Sequence, residues 1–252
     1  MCPGFTGADI ENLVNNSIAD AVHHGKTSAN KQDFEQARDR IMMGIERKTL
    51  TIADIERIKT AIHESGHAIT CYFTPNAKKL YKATIVARGG SLGATYMEPD
   101  DSEVSMSKEQ LLAQIDVSMG GHVAEKMVLG DKLISSGCGS DLQGATWIAY
   151  AAVRRFGMFG DEGATFISSD MKETSDEFNA EVDDKVKKLL DESFERVSKL
   201  LIDKDWELWE MSKNLFWFDY LDYDEIQTIM KWKKLNKIKV WEWKEKADFI
   251  RF

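Results

Sequence analysis

Three residues in one short segment have the types and the spacing of a metal-binding motif. His63 and His67 stand four residues apart, with Glu64 directly after the first of them. On a helix this spacing puts both imidazoles on one face, about 5–6 Å apart at Cβ. Two neutral imidazoles so placed can bind one Zn²⁺, and the carboxylate between them can take a proton from the water that the metal activates. The pattern therefore favours hydrolysis of a carbonyl compound by a zinc enzyme.

The residues around this motif argue against a chance cluster on a helix surface. Ile62, Ala68 and Ile69 are apolar and flank the two histidines, so the helix is expected to be buried. Buried imidazoles need hydrogen-bond or metal partners, because an unpaired polar group inside a protein is costly. The metal-binding interpretation is therefore the better one.

A catalytic zinc needs a third protein ligand, and the chain offers three candidates. Asp141 follows a Gly/Ser loop at residues 133–139 and opens a helix, where an acidic residue also simply complements the helix dipole. Glu125 lies within a helical pattern, where it could equally be a solvated charge. Cys138 has the sulfur that zinc binds well. Composition and spacing do not choose among the three.

The composition limits the classes of function. Of 252 residues, 43% are hydrophobic and 30% are charged, which is typical of a soluble globular protein. A net charge of −9 argues against nucleic acid as a partner. Three cysteines at irregular spacings predict unpaired thiols rather than a disulfide framework. No apolar run is long enough to span a bilayer, and no targeting segment is recognisable.

Helical spacing dominates the chain and predicts a mainly α (α+β) fold with a small β-hairpin or edge sheet. The first helix should turn Ile10, Leu13, Val14, Ile18, Ala21 and Val22 inward and end at Gly25. Asn30 should cap the second helix together with Asp33. The other helices are expected at about 52–73, 107–129, 140–156, 175–202, 206–215 and 222–232. The pattern at 107–129 is interrupted at Gly120-Gly121, which predicts either two helices or one helix with a bend. Strands are expected at 83–87, 94–97 and 164–168.

Several motifs in order resemble one known family. Residues 1 to about 232 resemble the C-terminal part of FtsH-type AAA zinc metalloproteases, most closely the mitochondrial i-AAA form. The segments that carry the resemblance are Gly4-Phe-Thr-Gly-Ala-Asp9, Ile41-Met-Met-Gly-Ile-Glu-Arg47, His63-Glu-Ser-Gly-His67, Gln114-Ile-Asp-Val-Ser-Met-Gly-Gly121, Ser136-Gly-Cys-Gly-Ser-Asp141 and Phe156-Gly-Met158.

The resemblance implies a role for each site residue. It makes His63, His67 and Asp141 the ligands of one Zn²⁺ per chain, and Glu64 the general base. Glu125 would lie beside the metal and orient a ligand. The substrate would bind as an extended strand along a sheet edge, a segment made of Ser91, Leu92, Gly93, Ala94 and Thr95.

Two residues depart from the family pattern near this site. His122 stands where an arginine is usual, and Cys138 stands where an alanine is common. Neither change removes a ligand. A thiol close to the metal would alter metal affinity or sensitivity to oxidation.

The resemblance also implies a domain organisation. Residues 1–45 resemble the last helices of an AAA ATPase lid, residues 46–232 form the helical zinc metallopeptidase domain, and residues 233–252 are a divergent tail rich in Lys with Trp241, Trp243 and Phe249. The phosphate-binding Gly-x-x-x-x-Gly-Lys-Ser/Thr motif is absent from the sequence. ATP and Mg²⁺ are therefore expected to act only through a missing or partner ATPase module. The chain would then be a fragment, the product of a truncated gene, or a subunit that relies on another for ATP hydrolysis.

The leading functional interpretation is a zinc endopeptidase. The resemblance implies a homo- or hetero-hexameric ring at the mitochondrial inner membrane, acting on unfolded or membrane-extracted proteins. One alternative is a non-catalytic or assembly subunit of such a ring, and a weaker one is a stand-alone zinc hydrolase. The intact histidine motif together with Asp141 speaks against a purely structural subunit.

Overall fold

The computed structural model describes residues 4–47, 49–98, 105–159 and 174–235. Within these residues, eight helices and three short strands confirm the predicted mainly α fold with a small sheet. The helices are α1 (Gly7–His23), α2 (Lys31–Met43), α3 (Asp54–Phe73), α4 (Lys108–Leu129), α5 (Gly139–Tyr150), α6 (Asp176–Asp203), α7 (Asp205–Phe218) and α8 (Tyr223–Met230). The strands are β1 (Leu80–Thr84), β2 (Ala94–Met97) and β3 (Tyr220–Asp222).

The first two helices begin and end where the sequence predicts. Asn30 accepts a hydrogen bond from the backbone N–H of Asp33, whose side chain accepts one from the Asn30 N–H, so the predicted capping box forms. Gly25 follows α1 with a positive φ of 70°, which glycine adopts without steric cost.

The apolar surface of α1 is buried less than predicted. Leu13 and Ala21 are buried, but Ile10, Val14, Ile18 and Val22 are exposed. Those four exposed residues are spaced four apart and form one stripe. Among the described residues, α2 covers a different stripe, the one that contains the buried positions. Periodicity predicts the apolar positions of a helix, but it does not tell how many of its stripes a neighbour covers.

The sheet is antiparallel with the strand order β2-β1-β3, so β2 lies at an edge. The predicted hairpin is present, although its first strand ends at Thr84 instead of running from 83 to 87. Ala83 of β1 is opposite Thr95 of β2 on one side and Leu221 of β3 on the other. The third strand was not predicted. The expected strand at 164–168 lies outside the described residues.

Helix α3 lies at the centre of the core. It packs against α4 and α7, and also against α6 and β1. Asp116 holds α4 to α6, since its carboxylate accepts hydrogen bonds from Ser193 Oγ at 2.5 Å and from Arg196 Nη2 at 2.8 Å. The largest fully buried side chains are those of Ile62, Ile69, Ile115, Leu201, Leu208, Met211, Leu215, Leu221, Ile226 and Ile229, with Glu125 and Glu207.

Of the two alternatives predicted at Gly120-Gly121, the one with two separate helices is wrong, because α4 continues unbroken to Leu129. These glycines are instead where α4 approaches α3. A Cβ on Gly120 would lie 2.6 Å from the Gly66 carbonyl oxygen, and one on Gly66 would lie 2.2 Å from that of Gly120. A Cβ on Gly121 would lie 2.5 Å from His63 Cε1. The three glycines therefore let the two backbones and the imidazoles come together.

None of the helices in the described part of the chain combines the length and the apolar character needed to cross a membrane.

Candidate metal centre

Three side chains from two helices bring their donor atoms together. His63 and His67 come from α3, where the four-residue spacing puts both rings on one face, and Asp141 comes from the first turn of α5. The two Nε2 atoms are 3.1 Å apart. Asp141 Oδ2 lies 3.1 Å from His63 Nε2 and 3.3 Å from His67 Nε2. Of the three candidate third ligands, Asp141 is the one that meets both Nε2 atoms.

This triangle of donor atoms fits a zinc ion. Zinc binds imidazole nitrogen and carboxylate oxygen at about 2.0–2.2 Å, so tetrahedral ligand atoms lie about 3.3–3.5 Å from one another. The observed separations are close to that range. Two imidazoles and one carboxylate are also the donor set of a common type of catalytic zinc site.

Hydrogen bonds at the other ring nitrogen fix both imidazoles. His67 Nδ1 donates to the backbone carbonyl of Val117 at 2.7 Å. His63 Nδ1 lies 2.8 Å from Glu125 Oε1. Both partners accept hydrogen bonds, so each imidazole that binds a metal carries its proton on Nδ1. The Nε2 lone pairs are then directed into the triangle of the two Nε2 atoms and Asp141 Oδ2, called the ligand triangle below.

Glu125 is held by a loop as well as by His63. It is almost completely buried, and it accepts hydrogen bonds from the backbone N–H of Ser135 at 2.7 Å and from Ser135 Oγ at 3.0 Å. Burial alone would raise the pKa of Glu125, but the bonds to His63 and Ser135 lower it below its usual value. The predicted ligand-orienting residue therefore lies behind His63, as a carboxylate and away from the ligand triangle.

Cys138 lies on the same side of His63 as Glu125. Its Sγ is 3.3 Å from Glu125 Oε1 and 3.8 Å from His63 Nδ1, so these three residues form a second group of donor atoms. Burial raises the pKa of the Cys138 thiol. Its S–H donates to Glu125 Oε1.

Glu64 is buried beside the two histidines and has one direct polar side-chain partner among the described residues. Thr95 Oγ1 donates to Glu64 Oε2 at 2.8 Å. Burial raises the pKa of Glu64, although the imidazoles and Thr95 oppose the shift. A raised pKa makes the carboxylate a stronger base once it is ionised.

The ligand groups carry opposite charges when no metal is bound. Burial alone would lower the pKa of His63, but hydrogen bonds to Asp141, Cys138 and Glu125 raise it to about 12. Burial alone would raise the pKa of Asp141, and the hydrogen bonds to both histidines lower it instead.

The predicted substrate segment leads into the edge strand. Ser91 and Leu92 are exposed, and the backbone of Ser91 forms an isolated antiparallel β-bridge with Arg88. A Cβ on Gly93 would lie 2.6 Å from Thr60 Cγ2 and 3.0 Å from Glu64 Cγ, so only glycine lets the chain pass this close to α3. Ala94 and Thr95 then begin β2.

Sequence reasoning did not predict several of the roles that residues play in this region. Ser135 holds Glu125 and Thr95 holds Glu64 by hydrogen bonds. Gly66 lets α4 approach α3, and Gly121 makes room for the imidazoles. The glycines at 120 and 121 were a usable signal, since paired glycines inside a long helical pattern also mark close helix packing. His122 lies outside the ligand triangle, and burial lowers its pKa.

A family model matches this part of the chain. The model of peptidase family M41 matches residues 50–229, which include the whole site. The chain belongs to peptidase family M41. The resemblance inferred from the motifs is thus confirmed, and the class of the domain is that of a zinc metalloprotease.

Similar proteins have names that agree with this family. The chain is 41% identical over 237 residues to the mitochondrial inner membrane i-AAA protease supercomplex subunit YME1 of Saccharomyces cerevisiae, covering 94% of this chain and 32% of that protein. It is 38% identical over 233 residues to the ATP-dependent zinc metalloprotease YME1L1 of Homo sapiens, covering 92% and 30%. It is 36% identical to the ATP-dependent zinc metalloprotease FtsH of Caulobacter vibrioides, covering 91% and 38%. The chain spans about a third of the length of these relatives.

Proposed function

We propose that this domain is a zinc-dependent endopeptidase with His63, His67 and Asp141 as the metal ligands and Glu64 as the general base. The observation that carries the proposal is the triangle of His63 Nε2, His67 Nε2 and Asp141 Oδ2, with sides of 3.1–3.3 Å. Glu64 is adjacent in sequence and buried beside it. When bound, zinc would supply a Lewis acid that lowers the pKa of water and polarises the peptide carbonyl.

Residues of the chain itself would transfer the proton and orient the two imidazoles. Glu64 takes a proton from the attacking water and later gives it to the leaving amine nitrogen, so that one carboxylate acts first as a base and then as an acid. Glu125 holds His63 in the tautomer that binds metal through Nε2. The carbonyl of Val117 does the same for His67.

The substrate would bind along β2. This strand is at the edge of the sheet. Its residue Thr95, and Gly93 just before the strand, lie directly against α3. An extended peptide can add to such an edge by main-chain hydrogen bonds, which are independent of its sequence. That mode of binding suits unfolded polypeptides, the substrate class proposed here.

The wider setting is proposed from the relatives. The yeast relative is named as a mitochondrial inner membrane supercomplex subunit, and the human and bacterial ones as ATP-dependent. We accordingly propose that the domain works with an AAA ATPase module in a hexameric ring at the mitochondrial inner membrane. Residues 46–232 would be the peptidase domain and residues 1–45 part of a lid. Most of the tail at 233–252 lies outside the described residues, including Trp241, Trp243 and Phe249.

Cleavage of an unfolded protein tests the peptidase proposal. The purified chain and its Glu64→Gln variant are loaded with zinc and incubated with a fluorogenic casein and a fluorogenic peptide. We expect cleavage by the wild type only, its loss after chelation, and its return when zinc is added. If both zinc-loaded proteins are inactive, the proposal fails and the alternative of an assembly subunit is favoured. Equal cleavage by both proteins would exclude Glu64 as the base.

A further inference from the structure

The edge strand contacts Glu64 through the side chain of Thr95. Thr95 is the second residue of β2, and its Oγ1 lies 2.8 Å from Glu64 Oε2 and 3.1 Å from the Glu64 backbone oxygen. A hydroxyl has one proton, so these two acceptors share it, and both belong to the same residue. The Thr95 hydroxyl is therefore within hydrogen-bond distance of both the side chain and the backbone of Glu64.

The direction of the Thr95 side chain follows from the register of the sheet. Thr95 is opposite Ala83, which is fully buried, and directly opposite residues of an antiparallel pair lie on the same face of the sheet. Thr95 thus points from the sheet towards α3, while its backbone belongs to the edge strand. One residue spans the distance between the substrate edge and the general base.

A second contact of the same strand segment limits the movement of Glu64. Gly93 lies so close to Glu64 that an added Cβ would be 3.0 Å from Glu64 Cγ. Glu64 Cγ therefore lies next to the backbone of Gly93, and Glu64 Oε2 accepts a hydrogen bond from Thr95. Any shift of β2 would move both contacts together.

We propose that Thr95 is a positioning residue, which sets the orientation of the Glu64 carboxylate and couples it to β2. The inference rests on the proposed function, because it assigns Glu64 as the base and β2 as the substrate edge. A peptide that pairs with the outer edge of β2 would order the strand, and through Thr95 it would hold the base in the position that receives the proton. The base is then best placed when substrate is bound. Among the described residues, the Thr95 hydroxyl donates to Glu64 and not to a proposed metal ligand.

The kinetic test uses Thr95→Val, which keeps the shape and the strand propensity of threonine but removes its proton. With a fluorogenic peptide we expect kcat to fall about tenfold and KM to stay within about twofold, because substrate still binds while the base is misplaced. Thr95→Ser restores the hydroxyl and should bring kcat back to within about threefold of the wild type. Thr228→Val removes a hydroxyl that donates to the Asp224 backbone carbonyl within α8, an element that supplies no site residue, and should leave kcat unchanged.

A second readout does not depend on catalysis. Unfolding of the wild type, Thr95→Val, Glu64→Ala and the double variant forms a thermodynamic cycle. We expect the effects to be non-additive by about fivefold in the unfolding constant, or about 1 kcal/mol at 1.4 kcal/mol per tenfold. Zinc content should be one per chain in wild type and in Thr95→Val, since Thr95 holds no ligand.

Three kinetic results would overturn the inference while leaving the proposed function intact. They are an unchanged kcat in Thr95→Val, a raised KM with normal kcat, and a Thr95→Ser variant as slow as Thr95→Val. An additive cycle would overturn it as well. If zinc-loaded wild type cleaves nothing, the proposed function fails and this inference fails with it.

Discussion

The single residue on which the proposed metal centre depends most, apart from its ligands, is Glu125. It orients His63 and is itself anchored by Ser135. In Glu125→Gln the charge is lost, and an amide N–H would face either the Ser135 N–H or His63 Nδ1–H. We expect zinc affinity to fall by about 10- to 100-fold, as is usual for such partners of ligands. Competition with a fluorescent chelator measures this.

A matched control for that variant is Glu195→Gln, which removes an exposed charge from α6. It should bind zinc as the wild type does. If Glu125→Gln also binds zinc with wild-type affinity, Glu125 does not orient the ligand and the account of His63 is wrong.

The charge on His63 predicts how zinc binding depends on pH. Because its pKa is raised from 6.5 to about 12 in the metal-free site, His63 keeps its proton throughout the neutral range. Zinc must displace that proton, so affinity should rise about tenfold per pH unit between about pH 6 and 8. Titration with a chelator of known pH dependence gives the slope. An affinity independent of pH would mean that His63 is neutral before zinc binds.

At the scale of elements, the crossing of α3 and α4 determines whether the site can form. Gly66→Ala would put a Cβ 2.2 Å from the Gly120 carbonyl oxygen, so the helices must separate. We expect the free energy of unfolding to fall by about 3 kcal/mol, the upper end of ordinary overpacking. Chemical denaturation measures the loss. Zinc affinity should fall too, because α3 supplies both histidines and α4 positions them.

Gly144→Ala is the control for the glycine variant. Gly144 lies within α5, and a Cβ there would meet nothing within 4 Å. The substitution should change stability by less than about 1 kcal/mol, in the stabilising direction, because alanine favours a helix more than glycine does. A Gly66→Ala variant as stable as Gly144→Ala would show that the two helices are not in the close contact described.

These elements also show which features the sequence could predict, and why contacts between elements distant in sequence could not be predicted from it. The motif helix was predictable because His63, Glu64 and the apolar flanks follow one period. The glycine pair at 120 and 121 could signal close helix packing, but it could not identify α3 as the partner, because local rules describe one helix at a time. Strand β3 was missed because Tyr220–Asp222 is very short and pairs with β1 across more than 130 residues of sequence. The hydroxyl of Thr95 gave no signal for the same reason: its partner lies on another element.

For the molecule as a whole, the proposed domain boundary makes a prediction about independent folding. Helices α1 and α2 contact each other, and the described links from α2 to the rest include the pairs of Asp39 with Lys82 and Tyr81. A chain shortened to residues 46–235 should therefore unfold in one cooperative transition, about 1–2 kcal/mol less stable, and still bind one zinc. A non-cooperative transition would show that residues 1–45 belong to the same folding unit.

The identity of the atoms around the zinc tests the central claim most directly. X-ray absorption at the zinc edge, on the zinc-loaded chain and on Cys138→Ala, distinguishes the two groups of donor atoms that share His63. The account predicts nitrogen and oxygen neighbours at about 2.0–2.2 Å in both proteins, with two imidazoles and a carboxylate. A sulfur neighbour at about 2.3 Å that disappears in Cys138→Ala would contradict it, because zinc would then lie with Glu125 and Cys138 instead of Asp141.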